Sequence, residues 1–318
     1  MTLYLTEKNV EQLITMSLTL EAVEQAFCDL GHGKAENIPR RRLHTPRGML
    51  HLMAASLPHL GYMGYKSYTV FSGRARFLVH LYSAETGELL AILEADRLGQ
   101  MRTGAASGVA TRWMARADSK VVGIIGCGWQ ARSQLEAVCQ VRPPNQVIAS
   151  GRSPDRLKEF CDRMQERLQV PCTPASRPDE VLETADILIT ITSSVSPVFD
   201  GDKLRPGTHI NAAGSNFLVK RELDEVCVRK CTSIVVDLKD QAKLECGEFL
   251  APLEKGLLNW EQVRELGEVV TTRFLPRTDP QDITLFKSLG LALEDVAVAG
   301  KIYQLALENK VGERLRLG

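Results

Sequence analysis

A short glycine-rich segment carries the residue types that most clearly suggest chemistry. It reads Gly126-Cys-Gly-Trp-Gln-Ala131 and follows the apolar run Val121 to Ile125. Gly126 permits a tight turn, Gly128 lets backbone amides approach a pyrophosphate at a helix N-terminus, and Ala131 lets that helix lie close to the strand. Because an apolar strand precedes the turn and a helical pattern follows it, the segment predicts a dinucleotide site.

The next predicted strand indicates which dinucleotide binds. It ends in Ile148-Ala-Ser-Gly-Arg152-Ser153, where an NAD enzyme usually presents an acidic residue to the ribose hydroxyls. Arg152 can pair with a 2′-phosphate, and Ser153 can donate to the same phosphate while capping the following helix. These residues favour NADPH, with NADH as the second choice.

Basic residues of the first third suggest a site for a small acid. Arg40, Arg41 and Arg42 are consecutive, Lys66 lies in an apolar strand with tyrosines, and Arg102 lies in a predicted helix. Burial lowers the pKa of a lysine and suits it to proton transfer, whereas arginine forks bind carboxylates. A carboxylate-binding site near a nicotinamide is therefore expected.

Two kinds of secondary-structure pattern surround these residues. Before residue 118, apolar periodicity predicts a helix over 20–30, strands over 49–55, 64–71, 77–82 and 89–94, and a helix from Asp96 to about Met114. From Val121 onward, strands at 121–125, 146–149, 187–192, 209–213 and 234–237 alternate with helices, which predicts a doubly wound parallel sheet. A final helix is predicted over 284–309, packed on the N-terminal domain.

Composition excludes several classes of function. Thirty-nine basic and thirty-nine acidic residues leave no net charge to attract nucleic acid or an anionic membrane. Eight scattered cysteines without metal-ligand spacing predict reduced thiols and no metal site. No signal peptide or long apolar run is recognisable, so a cytoplasmic location is expected.

Four motifs in this order make the sequence recognisable: Gln100-Met-Arg102-Thr103-Gly, the glycine turn, His209-Ile-Asn-Ala-Ala-Gly214-Ser-Asn216, and Leu285-Phe-Lys-Ser-Leu-Gly290 with the Glu-Asp295 that follows. The chain resembles the ornithine cyclodeaminase/μ-crystallin family over nearly its whole length. That family includes cyclodeaminases, alanine dehydrogenases, ketimine reductases and a thyroid-hormone-binding protein.

The resemblance implies a fold, an assembly and a set of site residues. It implies an α/β chain with a Rossmann doubly wound parallel sheet at 118–290, and an α+β substrate and dimerisation domain with an antiparallel sheet at 1–117 and 291–318, assembled as a homodimer. Arg41 and Arg102 resemble the carboxylate clamp, with Arg40 or Arg42 as alternatives to Arg41, and Lys66 resembles the proton-transfer residue. The predicted cofactor contacts are Thr103, Gly126, Gly128, Trp129, Gln130, Ala131, Arg152, Ser153, Thr192, Ser193, Gly214, Ser288 and Leu289.

One departure from the family pattern bears on the reaction. Cyclodeaminases and alanine dehydrogenases of this family carry a catalytic aspartate where this chain has Asn216, and an amide cannot act as a general base. Reduction of a preformed imine requires only a hydride, a clamped carboxylate and a proton donor. An NADPH-dependent ketimine or imino-acid reductase is therefore expected, with an amino-acid dehydrogenase or cyclodeaminase, or a non-catalytic ligand-binding protein, as alternatives. Glu248 is a further acid whose place relative to the site stays open.

Overall fold

The structure is a computed structural model that describes residues 1–316. In chain order the strands are β1 Thr2–Leu5, β2 Glu36–Thr45, β3 Gly48–Leu57, β4 Tyr62–Phe71, β5 Arg74–Ser83, β6 Leu89–Glu94, β7 Val121–Ile125, β8 Gln146–Ser150, β9 Cys172–Pro174, β10 Ile187–Thr190, β11 His209–Ala212, β12 Ser233–Val236, β13 Val263–Glu265, β14 Thr284–Lys287 and β15 Glu313–Leu315. The α-helices are α1 Glu7–Leu13, α2 Met16–Gly31, α3 Asp96–Met114, α4 Trp129–Val141, α5 Pro154–Leu168, α6 Pro178–Leu182, α7 Glu225–Lys230, α8 Lys239–Glu245, α9 Leu250–Glu254, α10 Leu266–Val270 and α11 Ala292–Asn309.

The chain forms two compact units. The first comprises Met1–Arg102 and the chain from Gly290 onward, and the second comprises Thr103–Leu289. The first boundary therefore falls inside α3, whereas the sequence interpretation places it after Ala117. No helix among residues 1–316 combines the length and apolar character needed to cross a membrane.

The first unit is built on a largely antiparallel sheet with the strand order β15-β1-β6-β5-β4-β3-β2. β2 to β5 form a meander of ten-residue strands, and β1 joins β6 in parallel. One face of this sheet packs against α11, which also contacts α2. His51, Met53, Ala55 and Leu57 alternate toward the buried side of β3, as a half-buried strand requires.

The second unit contains a parallel sheet in the order β13-β12-β14-β11-β10-β7-β8-β9. β7 lies between β8 and β10, so the chain reverses its direction of winding beside β7. The central strands are buried on both faces because helices cover them, which explains their continuous apolar sequences. The predicted doubly wound parallel sheet and the predicted combination with an antiparallel sheet are confirmed.

The predicted C-terminal helix is wrong in its first third. Residues Thr284–Lys287 are a buried strand, β14, between β11 and β12, and α11 begins only at Ala292. Gly290, with a φ of +80°, separates the two elements. An apolar run in a buried strand and one on a buried helix look alike in sequence, so periodicity could not separate them.

Candidate active site

The glycine turn lies at the carboxyl edge of the parallel sheet. Gly126 follows β7 with a φ of +115°, and a Cβ there would overlap the carbonyl oxygen of Ile191. Its amide donates to the carbonyl oxygen of Ser150, at the end of β8, over 2.8 Å. The turn is therefore held between the ends of two neighbouring strands, at the place where doubly wound sheets bind ligands.

The start of α4 has the features of a phosphate-binding helix N-terminus. Gly128 occupies the N-cap position, and a Cβ on it would meet no atom of residues 1–316 within 4 Å. Gln130 Oε1 is buried and has no hydrogen-bond partner within residues 1–316, and Ala131 is fully buried. Open space above helix amides with a favourable dipole fits a pyrophosphate. The residues present therefore fit a dinucleotide.

Two other predicted cofactor residues follow β8. Arg152 is exposed and Ser153 is half-buried at the N-cap of α5. Ser153 therefore occupies the predicted capping position, but its hydroxyl makes no capping hydrogen bond within residues 1–316. Of the remaining predicted contacts, Trp129 is 47% exposed at the start of α4, and the carbonyl oxygen of Thr103 accepts from Gln134 Nε2 over 3.1 Å.

A buried carboxylate, Glu222, joins the loops that follow β10 and β11. One oxygen accepts from the Thr192 amide over 2.5 Å, and the other accepts from the Gly214 amide and the Thr190 hydroxyl over 2.8 and 2.9 Å. Burial raises the pKa of Glu222, although Lys287 and these hydrogen bonds oppose that change. Glu222 is not among the site residues predicted from the sequence. Its hydrogen bonds fix the backbone of Thr192 and Gly214, which are both predicted cofactor contacts. Ser193 follows Thr192 in the same loop.

Lys287, the last residue of β14, fixes the loop that follows the neighbouring strand β11. Lys287 Nζ, completely buried, donates to the carbonyl oxygen of Ser215 over 2.8 Å and lies 3.2 Å from Glu248 Oε1. Burial by itself lowers the pKa of Lys287, but the charge of Glu248 and other nearby groups outweighs this effect, so the pKa is raised. Glu248 therefore forms a buried ion pair with Lys287.

The remaining predicted site residues of the second unit follow the ends of these strands. Asp237 accepts from the Leu289 amide over 2.6 Å, and the Ser288 amide donates to the Ala212 carbonyl oxygen over 3.0 Å. Asn216, half-buried, directly follows the Ser215 that Lys287 holds. The carboxyl ends of β11, β12 and β14 therefore carry Gly214, Asn216, Ser288 and Leu289 on a hydrogen-bonded frame.

In the first unit, a buried cluster of charges surrounds Lys66. Lys66 is 2% exposed, and its Nζ donates to Asp295 Oδ1 over 2.8 Å. Arg102 contacts the same oxygen through Nε at 3.2 Å and Glu294 Oε2 through Nη1 at 2.9 Å. Burial lowers the pKa of Lys66 from 10.5 to about 8, against the opposing effect of Asp295. Burial also disfavours the Arg102 charge, but the two carboxylates outweigh it and raise the pKa of Arg102.

The second arginine of this cluster is Arg40. It is 5% exposed, and its Nη2 donates to the carbonyl oxygen of Gly290 over 3.1 Å, where the Arg102 guanidinium also packs. Arg41 is exposed on the opposite face of β2. The cause is an irregularity in the pairing of β2 with β3 between Ile38 and Arg41, since an extra residue in a strand exchanges the two faces. The structure thus brings Arg40, the alternative to Arg41, beside Lys66.

Two acids of this cluster had no role assigned from the sequence. Glu294 and Asp295 are fully buried in the first turn of α11, between Leu293 and Val296. A pair of acids inside an otherwise apolar helical face is a recognisable signal, because buried carboxylates require partners.

Comparison with known proteins agrees with these features. A profile of the ornithine cyclodeaminase/mu-crystallin family matches residues 1–310. The Δ(1)-pyrroline-2-carboxylate reductase of Thermococcus litoralis, solved with NADH and L-proline, is 36% identical, with a TM-score of 0.93 over 99% of this chain and 100% of that chain. An archaeal alanine dehydrogenase dimer with bound NAD is 37% identical, with a TM-score of 0.94 over 100% and 99%. The iminosuccinate reductase of Paracoccus denitrificans with NAD⁺ is 28% identical, with a TM-score of 0.94 over 99% of both chains.

The similarities extend over both units, and these relatives are nicotinamide-dependent enzymes. They confirm the predicted oxidoreductase class and the predicted resemblance. The chain belongs to the ornithine cyclodeaminase/mu-crystallin family.

Proposed function

We propose that this chain is an NADPH-dependent reductase of the C=N bond of a small imino acid. The observation that carries the proposal is the buried Lys66, with a pKa of about 8, held by Asp295 beside two buried arginines. A proton donor works best when its pKa lies near the working pH. When bound, the nicotinamide supplies the hydride that adds to the imine carbon.

The residues of the first unit perform the remaining tasks. Arg40 and Arg102 hold the substrate carboxylate, because buried guanidinium groups form strong charge-assisted hydrogen bonds. Lys66 gives a proton from Nζ to the imine nitrogen, and Asp295 fixes the position of Nζ. In the second unit, the glycine turn would hold the pyrophosphate, and the loops fixed by Glu222 would border the nicotinamide.

Asn216 favours reduction of an imine over oxidation of an amine. An amide cannot remove a proton from a substrate amine, and reduction of a preformed imine does not require that step. The alanine dehydrogenase relative makes amino-acid oxidation the second candidate.

The reaction is tested by stopped-flow oxidation of NADPH with Δ(1)-pyrroline-2-carboxylate, Δ(1)-piperideine-2-carboxylate and iminosuccinate. We expect turnover of at least one and none with alanine plus NAD. NADH formation from alanine would instead support a dehydrogenase. Ligand binding that survives Lys66→Ala, without turnover by the unmodified protein, would support a binding protein.

The preference for NADPH rests on Arg152, which is exposed at the end of β8 where its guanidinium can reach a 2′-phosphate. Related structures contain NADH or NAD⁺. Arg152→Ala should weaken NADPH binding by about tenfold or more and leave NADH binding within about twofold, since only the first carries the phosphate. Equal losses for the two cofactors, measured by fluorescence titration, would contradict this assignment.

We further propose that the chain is a homodimer formed through the open face of the first sheet. Ile38, Leu43 and Leu52 are 57%, 59% and 38% exposed on this face. Tyr65 and His80 stack there at 4.4 Å. Exposed apolar side chains grouped on one face of a sheet favour an interface, and the related alanine dehydrogenase is a dimer.

A further inference from the structure

Two rows of side chains cross the buried face of the first sheet. In the lysine row, Met53 pairs with Lys66 and Lys66 with Val79. In the histidine row, Arg42 pairs with His51, His51 with Tyr68 and Tyr68 with Phe77. Members of one row are directly opposite on adjacent strands, and the two rows are two residues apart, or about 7 Å along the strands.

His51 is the unexplained group of the histidine row. It is 1% exposed, and neither ring nitrogen has a hydrogen-bond partner anywhere in the described residues 1–316. Its ring stacks on Tyr68 with a centroid distance of 4.1 Å and an interplanar angle of 8°, which fixes its orientation. Buried polar atoms without partners are costly and rare, so this imidazole requires a ligand or a water molecule.

The surroundings of His51 indicate the charge of that ligand. Burial and the nearby Arg42, Arg40 and His44 lower the pKa of His51 to about 4, so it is neutral at physiological pH. A neutral imidazole offers one N–H donor and one acceptor. The neighbouring arginines favour an anion and disfavour an ammonium group. The Tyr68 ring lies 5.9 Å from Lys66 Nζ, so this place adjoins the proton donor.

We propose that His51 donates a hydrogen bond to a second carboxylate of the substrate, which makes the substrate a short imino dicarboxylic acid. The first carboxylate lies at Arg40 and Arg102 beside the lysine row, and the second lies one row farther along the sheet. This inference rests on the proposed reductase function. It makes His51 a residue that determines substrate specificity, and it excludes substrates with a distal ammonium group.

The experiment compares kcat/KM for iminosuccinate and for Δ(1)-pyrroline-2-carboxylate, which has a single carboxylate. The unmodified protein should prefer iminosuccinate. His51→Leu should lower kcat/KM for iminosuccinate by about tenfold to a hundredfold, the usual effect of a lost hydrogen bond to a charged group, and change the other by less than about threefold. His51→Asn, which keeps a donor, should recover part of the loss. His32→Gln alters an exposed histidine at the C-terminal end of α2 and is the matched control.

The other possible results contradict either the dicarboxylate assignment or the proposed reductase function. Preferential turnover of the cyclic imino acid, or equal losses on both substrates in His51→Leu, overturns the dicarboxylate assignment alone. Turnover of no imino acid overturns the proposed function itself. If His51→Leu does not fold, inhibition of the unmodified protein decides: succinate should inhibit at least tenfold more strongly than butyrate, and equal inhibition overturns the inference. A crystal structure with succinate in which His51 contacts only water does the same.

Discussion

Replacing Asp295 by Asn should move the alkaline limit of the reaction to lower pH. Lys66 must be protonated to give its proton, so kcat/KM should fall above the pKa of about 8. Asp295 raises the pKa of Lys66 through its charge and its hydrogen bond, whereas burial and the two arginines lower it. In Asp295→Asn the charge that raises the pKa of Lys66 is lost, whereas burial and the two arginines still lower it.

The size of the effect follows from the contact. Lys66 Nζ and Asp295 Oδ1 are 2.8 Å apart and both side chains are buried, so solvent does not screen the pair. An opposite charge at such a distance shifts a pKa by about one to three units, with each unit equivalent to about 1.4 kcal/mol. A downward shift within this range would leave about a tenth of Lys66 protonated at pH 7, so kcat/KM there should fall about tenfold.

The assay is the pH profile of kcat/KM for NADPH oxidation by the best imino acid, measured from pH 5.5 to 9.5. Glu294→Gln is the matched control, because Glu294 pairs with Arg102, whereas Asp295 pairs with Lys66. It should raise KM and leave the alkaline limit near pH 8. An alkaline limit that stays in place or rises in Asp295→Asn, in protein with a normal melting curve, would refute the assignment of Lys66 as proton donor.

Five further predictions test other parts of the chain. Arg40→Ala should raise the substrate KM by about tenfold to a hundredfold, whereas Arg41→Ala, on the exposed face, should change it by less than about twofold; the reverse order would restore Arg41 to the clamp. Gly126→Ala should lower the free energy of unfolding by about 1–3 kcal/mol in urea titrations, because its φ is positive and its Cβ has no room. Gly128→Ala should leave stability unchanged but weaken cofactor binding, and unaffected binding would place the pyrophosphate elsewhere. Glu222→Gln should lower the free energy of unfolding by about 1–3 kcal/mol, since an amide cannot accept all three hydrogen bonds, and the exposed Glu261→Gln should not. Leu43→Glu should give a monomer in light scattering, Leu307→Glu on α11 should not, and a monomeric unmodified protein would contradict the dimer.

Local sequence was sufficient for the elements whose patterns are unambiguous. β6, β7 and α3 have the predicted bounds, or nearly so, because strand alternation, a continuous apolar run and helical periodicity each allow one interpretation. β2 was not predicted, since its arginines and Pro39 do not resemble a strand. The apolar pattern of β14 predicts a helix equally well. It is a strand because it pairs with β11 and β12, which come from distant parts of the chain.

By itself, the sequence determined the glycine turn, the family and the residue types of the site, since these depend on short motifs and on chemistry that side chains carry with them. Only the tertiary structure decided which arginine faces Lys66, because one irregularity in strand pairing exchanges the faces of Arg40 and Arg41. It also decided that Asp295 holds Lys66, that Glu222 joins two strand ends, and that the buried His51 has no hydrogen-bond partner within residues 1–316. Each of these contacts joins residues far apart in the chain or on different strands, and the pKa of Lys66 depends on burial that no local pattern reports.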